Sequence, residues 1–60
     1  DNSYQTDLSE ANLQAADLSY ANLTGVNLKK ADLRGADLTR TILTNANLQG
    51  AIMPDGTIHD

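Results

Sequence analysis

The side chains of this 60-residue chain that could do chemistry are its carboxylates, a short run of cations and one histidine. Asp7, Asp17, Asp32 and Asp37 fall in one five-residue phase, and Asn12, Asn22, Asn27 and Asn47 occupy the same phase between them. Paired carboxylates can divide acid–base work when a cleft gives them different environments. Here Asn replaces Asp freely, and an amide cannot relay a proton. What the two share is a side-chain oxygen that accepts a hydrogen bond, so the array reads as turn and backbone capping. Asp17 and Asp37 form the one acidic couple worth testing for a cation, although two carboxylates are few ligands for a metal. Lys29, Lys30, Arg34 and Arg40 gather all the positive charge within twelve residues. Such a run could touch phosphate; the plainer expectation is solvated surface. Together with Tyr20, an aromatic expected on the outside, these four are the expected partner contacts. His59 lies beside Asp55 and Asp60, a set that could hint at a metal or a catalytic pair. A terminal tail positions such groups poorly, and no Ser or Cys nucleophile stands in a recognisable motif. Gly25, Gly35 and Gly50 are too widely spaced for a phosphate-cradling loop. The expectation is therefore no catalytic residue, no cofactor and no metal site.

The positions around these residues explain the phase. Nine consecutive five-residue units carry Leu at their centre, from Leu8 to Leu48, and a tenth carries Met53. Two residues before each centre stands a small residue: Thr6, Ala11, Ala16, Ala21, Val26, Ala31, Ala36, Thr41, Ala46 and Ala51. Asp or Asn precedes the centre in eight of the ten units, Ile42 and Ile52 being the exceptions. In an α-helix five residues advance about 500°, which would scatter the leucines round the cylinder. In a straight strand an odd period puts successive leucines on opposite faces. A chain that bends once per unit keeps them together. The bend must fall between each Leu and the residue two later, because those residues are mostly polar or Gly. Gly25, Gly35, Gly50 and Asn45 suit a corner that needs permissive dihedrals. Ala and Leu favour helix, but Asn, Asp, Ser, Thr and Gly recur too often to leave an uninterrupted helical segment.

Composition narrows the rest. There is no cysteine, hence no disulfide framework. No apolar run approaches the ~20 residues of a membrane helix, and no signal-peptide pattern opens the chain. A net charge of −4 argues against non-specific nucleic-acid binding. Without Phe or Trp, the core must be assembled from many small regular contacts.

Tandem Ala-(Asp/Asn)-Leu-x-x, as in ADLSYANL, ADLRGADL and ANLQGAIM, resembles the pentapeptide-repeat family over residues 6–55. The resemblance implies an all-β fold, a right-handed quadrilateral β-helix of about three coils, four units to a coil. It also implies a division into an N-terminal flank (1–5), the repeat helix (6–55) and a C-terminal tail or cap (56–60). The tail AIMPDGTIHD is similar to the close of cyanobacterial members.

With twenty residues per coil, residues twenty apart stack at ~4.8 Å. The expected interior columns are Leu8/Leu28/Leu48, Leu13/Leu33/Met53, Leu18/Leu38/Ile58 and Leu23/Leu43. The same stacking sets Lys30 over Glu10 and Arg40 between Tyr20 and Asp60, and leaves Arg34 free to face a partner. It also brings the Asp17–Asp37 couple near Thr57. Pro54-Asp55-Gly56 reads as a stop that blunts the last edge. No comparable cap exists at the N-terminus, which predicts either an upstream continuation or self-association through the first coil. The expected function is a non-enzymatic, rigid rod that binds protein. The alternative that the resemblance implies is an acidic DNA mimic acting on DNA gyrase, for which three coils with a cationic cluster are a poor imitation of a duplex.

Overall fold

The structure is a computed structural model that describes residues 5–60. The flank 1–5 lies, apart from Gln5, outside the described residues, and so does Tyr4. The chain winds with a corner every five residues and returns over itself every twenty. Parallel bridges join Asp7 to Asn27, Asn12 to Asp32, Asp17 to Asp37 and Asn22 to Ile42. Further bridges join Asn27 to Asn47 and Asp32 to Ile52. Each bridge is isolated, because a side only three residues long has no room for a continuous strand. Four sides result. The first carries 6–8, 26–28 and 46–48, and the second carries 11–13, 31–33 and 51–53. The third carries 16–18 and 36–38, and the fourth carries 21–23 and 41–43.

Backbone pairing follows one rule on every side. The central N–H donates upward to the next coil, as Leu8 to the Asn27 carbonyl at 2.7 Å and Leu13 to that of Asp32 at 2.8 Å. The residue before the centre donates downward, as Asn27 to the Thr6 carbonyl at 2.8 Å. At each corner the Leu carbonyl accepts from the N–H three residues on, as in Ala11 to Leu8 at 3.1 Å. The third residue of that turn has positive φ, the requirement of a type II turn. Glycine fills this position at 25, 35 and 50, but Glu10, Ala15, Tyr20, Lys30, Arg40 and Asn45 hold it too, with φ between 54 and 63°. The ladder therefore enforces a conformation that costs a non-glycine residue ~1 kcal/mol or more at each corner.

The interior is filled as the columns require. Leu28 and Leu33 of the middle coil are fully buried, and Val26, Ala31 and Ala36 join them. Leu8, Leu13 and Leu23 of the first coil, Leu43 of the middle coil and Leu48 of the last pack on this cluster and remain partly covered. Burying one Leu contributes ~1.5–3 kcal/mol, and only a coil with neighbours above and below collects it in full. The Thr41 hydroxyl, in a small-residue position, donates to the Leu18 carbonyl at 2.8 Å, so its polarity is satisfied.

The third coil departs from the expectation. The column Leu18/Leu38/Ile58 does not form, because the chain reverses after Met53 instead of turning another quarter. The corner there is one residue longer, and positive φ moves from residue 55 to Gly56, at 88°. Gly56 N–H donates to the Met53 carbonyl and Met53 N–H to that of Thr57. This is the pattern of a three-residue hairpin loop closed by a glycine of positive φ. Residues 57–59 then run antiparallel along the second side. His59 N–H donates to the Ala51 carbonyl at 2.8 Å and Gly50 N–H to the His59 carbonyl at 2.7 Å, while Ile58 pairs with Ile52. Ala51 is fully buried beneath this strap although it belongs to the last coil. Asp55–Gly56 thus does close an edge, but by folding the tail back on one side only. Thr57 consequently lies beside Met53, away from Asp17 and Asp37, and Asp60 does not stack over Arg40.

Candidate interaction surface

The Asp/Asn side chains serve the corners. Each Oδ1 accepts the N–H two residues on: Asp7 from Ser9 at 2.9 Å, Asn12 from Gln14 at 3.1 Å, Asn27 from Lys29 at 3.0 Å and Asp37 from Thr39 at 3.0 Å. Where Ser or Thr follows, its hydroxyl can bind the same oxygen, as in Thr24 to Asn22 at 2.6 Å and Ser19 to Asp17 at 2.6 Å. These donors stabilise the ionised carboxylate. The Ser9 hydroxyl and amide hold Asp7 below its ordinary range; those of Thr39 do so for Asp37, and those of Thr57 for Asp55. Asp17 and Asp37 stack as expected, but their Oδ1 atoms are committed to Ser19 and Thr39. Among the described residues no group of three or more His, Asp or Glu could hold a metal.

The cations do not form a patch. Lys29 and Lys30 sit at the corner between the first and second sides, Arg34 between the second and third, and Arg40 between the third and fourth. All four encircle the middle coil as a belt, below and above which the coils carry only acids. Arg34 is not free to face a partner: its Nε donates to Asp32 Oδ1 at 3.0 Å and its Nη2 to Oδ2 at 2.7 Å. Gln14 donates to the same Oδ2 at 2.6 Å from the coil below. The guanidinium, with these hydrogen bonds, pushes Asp32 far below the usual carboxylate range and Arg34 upward. The spacing of two within one unit was visible in the sequence, but which way Arg34 turned was not. It is the one ion pair among the described residues, so the expected Lys30–Glu10 pair does not close. The Lys30 stem lies instead against the Gly50 corner, 3.1 Å from where a Cβ there would stand. His59 has its backbone pinned in the strap, and its ring is exposed with Nδ1 3.0 Å from the Asp60 carbonyl.

Among the described residues Tyr20 is the most exposed large apolar side chain, at 71%, and stands at the corner leading into the fourth side. On that side Ile42 is 47% exposed. The fourth side otherwise presents Asn22, Thr24 and Thr44, and carries no charge; Arg40 marks its leading corner. Ile42 was visible as an exception to the Asp/Asn rule, yet its exposure becomes meaningful only once the sides are separated. The other exception, Ile52, precedes Pro54, which has no N–H to cap, and Ile52 is covered by Ile58. Ile42 gives up a cap for Thr44, and among the described residues no strand folds over it as Ile58 does over Ile52.

The chain matches the family model described as pentapeptide repeats, in eight copies, over residues 6–45 and 21–55. No curated protein sequence matches it. It is similar to the solved structure of HetL, a pentapeptide repeat protein involved in heterocyst differentiation regulation from the cyanobacterium Nostoc sp. strain PCC 7120. The two are 68% identical with a TM-score of 0.87 over 88% of this chain. The chain spans 22% of that protein's length. Family and relative imply a right-handed β-helix, which accounts for the twenty-residue return, the corner every five residues and the Leu-filled axis. On this evidence the chain belongs to the pentapeptide repeat family.

Proposed function

We propose that this chain is a non-enzymatic interaction module, three short coils of a rigid square rod that serve regulation by binding protein. The observation that carries this reading is the division of labour among the positions. Inward Leu and Ala fill the axis, Asp and Asn cap corners, and only the variable outer positions are left to distinguish this chain from any other of its kind. The chemistry available outside includes Tyr20, Lys29, Lys30, Arg40 and Ile42. HetL's involvement in heterocyst differentiation regulation gives the direction in which to look for the partner. The DNA-mimic reading gains nothing from the structure, because the cationic belt interrupts the acidic surface at mid-height.

The test replaces outer residues while leaving the architecture alone. Tyr20→Ala, Lys29→Ala and Lys30→Ala, singly and together with Arg40→Ala, are expected to keep the wild-type circular dichroism. Crosslinking capture from a heterocyst-forming cyanobacterium should then lose a specific protein band in one or more variants. Identical capture by the wild type and the combined variant would overturn the reading. Inhibition of gyrase supercoiling by the wild-type chain would favour the mimic instead.

A further inference from the structure

The strap on the second side shows what kind of segment the upper edge of this rod accepts. There, Gly50 N–H, Ala51 C=O and Met53 N–H are paired by Thr57–His59, and Ile58 covers the outward Ile52. Ile52 and Ile58 form the close, non-hydrogen-bonded kind of antiparallel pair, in which side chains approach most nearly. The fourth side offers the same set ten residues earlier: Arg40 N–H, Thr41 C=O and Leu43 N–H, with Ile42 pointing outward. Among the described residues none of these three backbone groups has a partner, and Ile42 is exposed on a side where no strand lies over it. The upper edge of the first side is open too, and that of the third is open except for Gly35 N–H, which donates to the Pro54 carbonyl; these sides present Asn47 and Asp37, so only the fourth combines an unpaired edge with an apolar cover site. An unpaired edge of this kind is a template for strand addition.

We propose that the upper edge of the fourth side is a strand-addition site for an extended segment of a partner protein, bound antiparallel as the chain's own tail is bound on the second side. The occupant carries a branched aliphatic residue against Ile42 and a carboxylate two residues later. The carboxylate follows from register. In the tail, Asp60 stands two residues after Ile58; in the equivalent position on the fourth side it meets the corner where Arg40 stands. Arg40 is the one charge bordering that side, and no described acid pairs with it. Ile42 fits the same account, because it surrenders a corner cap for an apolar contact that only an added strand would cover.

This inference rests on the reading of the chain as an interaction module and supplies one site within it. The probe is an acetylated, amidated peptide of the tail sequence Pro-Asp-Gly-Thr-Ile-His-Asp, titrated into the whole 15N-labelled chain. With three backbone bonds and one aliphatic contact, its affinity is expected on the order of millimolar. Shift changes should centre on Arg40–Thr44, and amide exchange at Arg40 and Leu43 should slow about tenfold near saturation. Ile42→Asn restores the corner cap, so that variant should fold unchanged and bind about tenfold more weakly. A peptide N-methylated at its His, which cannot donate to the Thr41 carbonyl, should not bind. The absence of shifts at Arg40 and Leu43, undiminished binding to Ile42→Asn, or undiminished binding of the N-methyl peptide would each overturn the proposal. The single variants Tyr20→Ala, Lys29→Ala and Lys30→Ala leave this edge untouched, so their capture results keep failure of this edge and failure of the module reading separable.

Discussion

A single Asp in this chain does a turn's work. Its Oδ1 takes an amide that the corner would otherwise leave to water, and its charge is held by that donor and a neighbouring hydroxyl. Asp7, Asp37 and Asp55 are lowered by Ser9, Thr39 and Thr57, and Asp32 is lowered most by Arg34. A carboxyl whose folded value lies below its unfolded one adds stability above the unfolded value, near ~3.9, and loses it as pH falls through that value toward the folded one. Urea midpoints should therefore stay level from neutrality to about pH 5 and fall below about pH 4. Asp32→Asn keeps the Oδ1 acceptor but has no charge to protonate, so its acid decline should be shallower than the wild type's. A steeper decline in Asp32→Asn would show that the carboxylate is not held down by its neighbours. The interchange of Asp with Asn made the capping role readable in sequence. The Arg34 pairing was not readable, because a long side chain at a corner has several directions open to it.

At the scale of a side and its corner, the ladder dictates φ and the residue complies. Gly25 and Gly50 both have positive φ, at 73 and 75°, but a Cβ at Gly25 would meet nothing within 4 Å, while at Gly50 it would meet Lys30 Cγ at 3.1 Å. Ala at either position pays ~1 kcal/mol or more for the left-handed conformation. Gly50→Ala must also push the lysine stem aside, so it should lower the urea midpoint further than Gly25→Ala. Equal losses would mean that the stem yields at no cost. The sides and corners were legible because five-residue phase, small residue and Leu all point to one solution. The reversed tail was misplaced because Ile58 is in phase with the leucines. The Pro54-Asp55-Gly56 turn overrode that phase: one added residue with positive φ at Gly56 converts a quarter turn into a hairpin. The signal was present in the Asp-Gly pair but was read as a stop rather than as a reversal.

The whole molecule is a stack in which each coil is stabilised by contact with the next. Leu33, 1% exposed, is enclosed from above and below, whereas Leu8 is only partly covered in the first coil. Leu33→Ala should cost ~2–5 kcal/mol and abolish cooperative unfolding in a chain of this size, while Leu8→Ala should cost less. Similar losses would mean that the first coil is as firmly built as the second. The division of the surface into four sides was the part least visible beforehand. Cations adjacent in sequence are carried to three different corners, so a linear cluster becomes a belt, and the exposed Ile42 gains its setting only from the side it shares with Asn22, Thr24 and Thr44.

The corner every five residues has a further consequence, for how such a chain can change. One unit is a quarter turn and a climb of roughly 1.2 Å, a fourth of the coil spacing. Loss of one unit would leave every remaining Leu facing the axis and every corner in place. Yet everything beyond the lesion would be rotated by ninety degrees, so that a loss before Ile42 would bring it onto the side of Asp17, and a gain onto the side of Asp7. Such a rod could lengthen and shorten by fives without unfolding, while each step redialled which outer residues look the same way. Only changes of twenty preserve both the fold and the alignment of its surfaces.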